Sequence, residues 1–224
     1  MVSKDGQPTL GGTCLNWGCI PSKTLLDASY KFHELDHGME QFGISTGKVS
    51  IDVAKMMENK DAVVNQLTGG ASALLSGNGV DILAGTGKLL ANKRGLFTDH
   101  DGVEVELAGE DIILAPGSVP VEIPAAPLDF DLIVDSTGAL EFKAVPKTLG
   151  IIGAGVIGLE LGSVWSRLGS KVVLIESLYE FLPVADQRIA RDALKILEGQ
   201  GLDIKLGALV TDCLLYTSPS PRDS

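Results

Sequence analysis

The stretch Leu149–Glu160, LGIIGAGVIGLE, runs from a short apolar segment through a glycine-rich turn into a helical pattern. Gly153, Gly155 and Gly158 have the GxGxxG spacing. These glycines permit a tight turn, close approach of the backbone to a pyrophosphate, and close packing of helix on strand. Alone the spacing is weak evidence, because other glycine-rich turns share it. Glu176 strengthens it, since this acid ends the next predicted strand, where it can accept a hydrogen bond from an adenosine ribose hydroxyl.

These features predict a dinucleotide site in the second half of the chain. The residues expected to contact the dinucleotide are Gly153, Ala154, Gly155, Val156, Ile157, Gly158, Leu159, Glu160 and Glu176. A site for NADP usually carries Arg or Lys near the acid, and Ser177-Leu178 supplies neither. We therefore expect NAD as the cofactor.

The pattern around this turn alternates strands and helices. It predicts strands at 149–152, 172–175 and 203–206, with helices at 156–168 and 185–200 between them. Such alternation is typical of a parallel, doubly wound sheet, so the predicted fold class is α/β.

The first half has a different organisation. Helical periodicity covers 20–35, opening near Pro21, and a second helix follows Asp52 as its cap; Gly69-Gly70 either kinks or ends that helix. Short apolar runs at 80–84, 88–90, 96–98, 103–107 and 111–115, divided by turn residues, predict an antiparallel meander. The proline-rich stretch 118–127 reads as an extended connector.

Composition excludes several classes of protein. The chain has 224 residues, 45% of them hydrophobic, which is enough for a sizeable core. A formal net charge of -11 argues against a nucleic-acid partner, because no basic stripe offsets the phosphates. The longest apolar run, 149–165, is too short and too interrupted by glycines to span a membrane, and no signal peptide is visible. We expect a soluble, cytoplasmic protein without a membrane partner.

Cys14 and Cys19 stand close together where the first helix is expected to begin. The spacing alone leaves open a redox-active disulfide or two unrelated buried cysteines. Metal binding is less favoured, because His33, His37 and His100 offer no second ligand pair at zinc spacing, and no metal site is predicted.

A disulfide between these cysteines would require an irregular backbone. Its Cβ atoms must approach within about 4.5 Å, whereas this spacing on an ideal helix points the side chains apart. The first turn of the helix should therefore be distorted, and Asn16 and Gly18 make that distortion cheap.

Residues 11–23, GGTCLNWGCIPSK, resemble the redox-active disulfide segment of the pyridine nucleotide-disulfide oxidoreductases. Ile20, Ser22 and Leu25-Leu26 look most like the dihydrolipoyl dehydrogenase branch, and the similarity runs from about Gly11 to Asp212. The resemblance implies Rossmann-like FAD/NAD(P)-binding domains with three β/β/α layers, both incomplete. The expected division is a partial FAD domain at 1–142, a partial NAD domain at 143–212, and a non-native or disordered tail at 213–224.

The resemblance also implies roles for individual residues. Cys14 would exchange with the substrate, and Cys19 would contact the flavin as a thiolate. Lys23 would lie beside the flavin ring, paired with Glu160. The residues expected to contact FAD are Lys23, Gly87, Gly117 and Ser118.

The implied activity is oxidation of dihydrolipoamide, carried on a lipoyl domain of a 2-oxo acid dehydrogenase complex, with reduction of NAD through FAD. A homodimer is implied as well. Family members have an earlier GxGxxG and a later His–Glu base, so we expect a chain cut at both ends that holds little FAD and is inactive alone. Glutathione and mercuric reductases remain alternatives within the family. A non-catalytic dinucleotide-binding module remains an alternative outside it.

Overall fold

The structure is a computed structural model and describes residues 9–213. It divides into two compact units. The first joins the described residues up to Pro21 with Asn59–Val119, and the second joins Ser22–Glu58 with the described residues from Pro120 onward. The domain boundaries expected at residues 142 and 212 stay predictions. Residues 214–224 of the expected tail lie outside the described part.

Within residues 9–213, three helices and one helical turn precede the first strand. Helix α1 covers Gly12–Trp17, α2 covers Cys19–His37, a 3-10 turn covers Glu40–Phe42, and α3 covers Val53–Gly77. The cap predicted at Asp52 is confirmed, since its carboxylate accepts a hydrogen bond from the backbone N–H of Lys55 at 3.1 Å. Helix α3 continues through Gly69-Gly70, so the predicted end of the helix there is wrong.

The first unit contains an antiparallel sheet of β1 (Gly85–Leu90), β2 (Arg94–Asp99) and β3 (Glu104–Ala108). The predicted meander is therefore confirmed. The strands predicted at 80–84 and 111–115 are wrong, because those residues are not in strands. An apolar, β-branched pattern reports only propensity, whereas a strand also needs a neighbour with which to exchange hydrogen bonds. Ile113 is 91% exposed, which shows how little of this run is packed.

The second unit contains a parallel sheet in the order β4 (Thr148–Ile152), β5 (Lys171–Ile175), β6 (Leu202–Lys205). Helix α5 (Val156–Arg167) connects β4 to β5, and α6 (Gln187–Gly199) connects β5 to β6. This is the predicted alternation. A short helix α4 (Ser136–Ala139) precedes the sheet, and the carboxylate of Asp135 caps it by accepting the N–H of Gly138 at 2.9 Å.

The main hydrophobic core belongs to the second unit. Val164 and Trp165 of α5 and Leu174 of β5 are fully buried there. Leu25 of α2 and Met56 of α3 belong to the same core. Among residues 9–213, no helix is long and apolar enough to cross a membrane.

Candidate functional site

Cys14 and Cys19 form a disulfide, with their Cα atoms 4.6 Å apart. This confirms the predicted bridge, although its backbone differs from the expected distorted first turn. Helix α1 ends at Trp17, Gly18 is non-helical (φ -131°, ψ -112°), and α2 begins at Cys19. A Cβ on Gly18 would lie 3.1 Å from the carbonyl oxygen of Thr13, which explains why a glycine stands at this break between two helices.

Asn16 has a role that the sequence did not reveal. Its side chain is buried, and its amide donates to the carbonyl oxygens of Leu10 at 2.8 Å and Gly12 at 2.9 Å. Its amide oxygen accepts from the hydroxyl of Thr9 at 2.9 Å. Instead of making the segment easy to distort, Asn16 ties the preceding loop to the disulfide helix. The sequence did contain a signal for this role, because Asn16 is a polar residue that lies between two cysteines and follows a glycine-rich loop.

The structure places Ser118 next to helix α1, the helix that carries Cys14. Its hydroxyl lies 3.3 Å from the hydroxyl of Thr13, the residue before Cys14. Gly117 precedes it at φ +84°, a conformation that side chains rarely adopt. Gly87 lies in β1 opposite Phe97, and a Cβ there would meet nothing within 4 Å. Thr13, Gly87, Gly117 and Ser118 all belong to the first compact unit, which also contains the disulfide.

The turn after β4 needs its three glycines for three different reasons. Gly153 has φ +101°, so a side chain there would strain the backbone. Gly155 caps α5, and a Cβ on it would meet nothing within 4 Å, so the space above the turn is open. A Cβ on Gly158 would clash with the carbonyl oxygen of Gly153. An open turn at the start of a 12-residue helix is suited to accept the pyrophosphate of a dinucleotide.

Glu176 binds this turn directly. Its Oε2 accepts the N–H of Ala154 at 2.9 Å, and its Oε1 accepts the N–H of Leu178 at 3.0 Å. The hydrogen bond from Leu178, followed by that from Ala154, lowers the pKa of the carboxyl group. The carboxylate at the end of β5 therefore stays ionised and lies beside the candidate dinucleotide turn.

Lys23 and Glu160 form an ion pair, with Nζ 2.5 Å from Oε1, although 137 residues separate them in sequence. This confirms the predicted pairing. The Lys23 side chain is 60% exposed and that of Glu160 is 24% exposed. Ion pairs this exposed contribute little to stability. The main consequence of the pair is therefore that it holds the ammonium group of Lys23 beside the carboxylate of Glu160.

Comparison with known proteins identifies the family. Residues 2–214 match the family model described as pyridine nucleotide-disulphide oxidoreductase. The chain belongs to this family.

Among residues 9–213, no three His, Cys, Asp or Glu side chains form a group that could hold a metal ion.

Two curated relatives of this chain are named dihydrolipoyl dehydrogenase. The chain is 47% identical over 212 residues to dihydrolipoyl dehydrogenase from Cupriavidus necator. The matched region covers 92% of this chain and 44% of the relative. The chain is also 46% identical over 209 residues to dihydrolipoyl dehydrogenase 3 from Pseudomonas putida, with the same two shares covered. The chain therefore spans a little under half the length of these relatives.

A solved structure is similar in fold. The Cu(II) complex of HOCl-induced flavoprotein disulfide reductase RclA from Escherichia coli superposes with a TM-score of 0.72 at 32% identity, covering 91% of this chain and 42% of that one. These neighbours confirm the predicted fold class, Rossmann-like domains of flavin- and pyridine-nucleotide-linked disulfide oxidoreductases. They also confirm the resemblance to the dihydrolipoyl dehydrogenase branch.

Proposed function

We propose that this chain carries the disulfide and part of the NAD site of a dihydrolipoyl dehydrogenase. The observation that supports this most is the Cys14–Cys19 disulfide, formed across the break between α1 and α2. Two sulfurs at adjoining helix ends are suited to open and close as a pair. The named relatives support the choice of substrate.

The exchange step uses only the two cysteines and the substrate dithiol. One thiolate of dihydrolipoamide attacks Sγ of Cys14, which breaks the Cys14–Cys19 bond and releases Cys19 as a thiolate. The second substrate thiol then attacks the mixed disulfide and releases Cys14. Dihydrolipoamide becomes lipoamide, and the two cysteines hold its electron pair. Bound FAD would supply a two-electron acceptor for the pair held by Cys14 and Cys19, and a hydride donor for NAD.

The flavin and the nucleotide would be held by different residues. We assign flavin contacts to Lys23, Gly87, Gly117 and Ser118, with Glu160 holding the lysine. NAD would lie on the turn Gly153–Glu160, with Glu176 accepting from its ribose. The ion pair keeps the Lys23 ammonium fixed, so a positive charge would stand at a constant position beside the flavin ring.

The proposed setting follows from this activity. Dihydrolipoamide would arrive on a lipoyl domain of a 2-oxo acid dehydrogenase complex, and the holoenzyme would be a cytoplasmic homodimer. Glutathione or mercuric reduction would usually draw on NADPH, which the ionised Glu176 disfavours. The Cys14–Cys19 disulfide, together with Lys23, counts against a non-catalytic module.

Anaerobic titration of the holoenzyme tests the proposal. Dihydrolipoamide should bleach the flavin absorbance, and added NAD should restore it with one NADH formed per dithiol. Cys14→Ser and Cys19→Ser should abolish the reaction. Cys213→Ser is the matched control, because Cys213 is a free cysteine outside the disulfide, and it should keep full activity. Turnover with glutathione disulfide and NADPH but not with dihydrolipoamide would replace the proposed substrate, and absence of flavin would leave the non-catalytic module.

A further inference from the structure

A second contact joins helices α2 and α5 within the same compact unit as the Lys23–Glu160 pair. The guanidinium carbon of Arg167 lies 5.4 Å from the centroid of the Tyr30 ring. This distance is within the range of a cation–π interaction. Neither residue belongs to a sequence motif, and neither forms part of the candidate site described above.

The two contacts repeat at the same interval on both helices. Seven residues separate Lys23 from Tyr30 on α2, and seven separate Glu160 from Arg167 on α5. On an α-helix this interval is two turns, about 10.5 Å, with an angular offset of only about 20°. Each helix therefore presents both of its contact residues on one face. Since the order is the same on both, α2 and α5 run parallel where they meet.

Two contacts spaced along the helix axis restrict the sliding and the rotation of a helix more than a single contact does. Leu25 of α2 is fully buried in the same core cluster as Val164 and Trp165 of α5. A slip of a single residue would move one helix by about 1.5 Å and turn it by about 100°. Such a slip would break the ion pair and the ring contact together. The ring contact therefore restricts the motion that would separate Lys23 from Glu160.

Tyr30 is itself held in place by its own helix. Its hydroxyl forms a hydrogen bond with Glu34, one turn further along α2, and this bond is the main cause of the raised pKa of Tyr30. The charge of Glu34 acts in the same direction, while Arg167 opposes it. The guanidinium group of Arg167 lies over the face of this ring.

We propose that Tyr30 and Arg167 are positioning residues, which hold α2 and α5 in the register at which the Lys23 ammonium meets Glu160. The inference rests on the proposed function in one respect, that this ion pair stands beside the flavin. Loss of the ring contact should then impair electron transfer without touching the disulfide, the nucleotide turn or either cofactor.

Zero-length carbodiimide cross-linking of the holoenzyme measures the register directly. The reagent joins an amine to a carboxylate only when the two are in contact, so the yield of Lys23–Glu160 amide, read by peptide mass spectrometry, reports their approach. Tyr30→Leu and Arg167→Gln should lower this yield about two- to fivefold, the factor expected for loss of an exposed cation–π contact. Tyr30→Phe and Arg167→Lys keep a ring and a cation, and should retain most of it.

The chain supplies its own reference for this measurement. Lys31 and Asp27 form an ion pair at 2.7 Å within α2 alone, and their cross-link should be unaffected in all four variants. A variant that also loses the Lys31–Asp27 product has lost helix α2. The conservative variant at the same position, Tyr30→Phe or Arg167→Lys, then shows whether the ring contact sets the Lys23–Glu160 yield. An unchanged Lys23–Glu160 yield in both Tyr30→Leu and Arg167→Gln would overturn the proposal.

Kinetics of the same holoenzyme separate positioning from simple stability. In Tyr30→Leu and Arg167→Gln, kcat for NAD reduction should fall with the cross-link yield, while KM for dihydrolipoamide stays within about twofold, since Cys14 and Cys19 are untouched. A lower yield with unchanged kcat would overturn the positioning role. If the wild-type holoenzyme does not oxidise dihydrolipoamide, the proposed function fails, and the cross-link yields still decide the register.

Discussion

At the scale of single residues, Glu176 combines two tasks that are usually considered separately. Its carboxylate accepts the N–H groups of Ala154 and Leu178, so it shapes the turn after β4 and the loop after β5 together. The same negative charge then faces any nucleotide that lies on the turn. Cofactor choice and local stability are therefore linked through one side chain.

The first prediction concerns the choice of cofactor. A 2′-phosphate would be repelled by the Glu176 carboxylate, so kcat/KM should be at least about tenfold higher with NAD than with NADP, or about 1.4 kcal/mol. Glu176→Gln should narrow this ratio in steady-state assays of the holoenzyme. Glu180→Gln removes a charge from the same loop without touching the turn and should leave the ratio unchanged. Equal kcat/KM for both cofactors in the wild type would contradict the assignment.

The second prediction concerns acid stability. Because hydrogen bonds from Leu178 and Ala154 lower the pKa of Glu176 in the folded state, the carboxylate stabilises the fold at pH values above the unfolded-state pKa of about 4.3. That contribution is lost as the pH falls through the lower, folded-state value. Glu176→Gln should therefore destabilise the chain at neutral pH and flatten the acid limb of its stability profile. Urea unfolding between about pH 3 and 7 would show this, and an unchanged acid limb would contradict it.

At the scale of elements, the strand β4, its turn and helix α5 are the part that the sequence predicts best. The alternating pattern and the glycine spacing describe local geometry, and each glycine constrains only atoms a few residues away. The break between α1 and α2 was not predicted, because it depends on the disulfide and on the bonds of Asn16. The contact of Tyr30 with Arg167 has no local signature at all, since it exists only once two distant helices pack.

A third prediction compares two glycines of α5. A Cβ on Gly158 would clash with the Gly153 carbonyl oxygen, which is backbone and cannot move aside. Gly158→Ala should therefore destabilise the chain by about 1–3 kcal/mol, as overpacking generally does. A Cβ on Gly162 would lie 3.2 Å from Cδ1 of Ile151, a side-chain end that can rotate.

The gain in helix propensity on replacing glycine by alanine, about 1 kcal/mol, should then offset most of the cost of Gly162→Ala. Urea unfolding of the two variants beside the wild type gives the comparison. A larger loss of stability for Gly162→Ala than for Gly158→Ala would show that the turn is not the rigid part of this element.

At the scale of the whole molecule, both compact units expose apolar side chains. Ile113 and Val119 of the first unit are 91% and 86% exposed, and Val121 and Phe130 of the second are 86% and 78% exposed. Exposed apolar surface of this kind marks interaction sites or a tendency to aggregate. The sequence pattern predicted a strand around Ile113 and an extended connector around Val119 and Val121, and neither prediction shows that these apolar side chains are unpacked.

The fourth prediction follows from this exposure. The chain expressed by itself should self-associate and bind a hydrophobic dye, and Ile113→Glu with Val121→Glu should reduce both effects while the circular dichroism spectrum stays the same. Gln41→Glu with Gln66→Glu adds the same two negative charges at exposed polar positions and controls for net charge. A monodisperse wild-type chain in light scattering, with no dye binding, would contradict the prediction.

The composition of the main core also determines when this protein can fold during synthesis. Leu25 is buried in the same core as Met56, Trp165 and Leu202, so the core around α2 is synthesised in stages. Strand β6, which supplies Leu202, follows Leu25 by about 180 residues, or roughly 10–35 s at bacterial and eukaryotic elongation rates. Until then the core is incomplete, and part of its apolar surface lacks a partner. We expect the nascent chain to expose that surface until translation reaches β6.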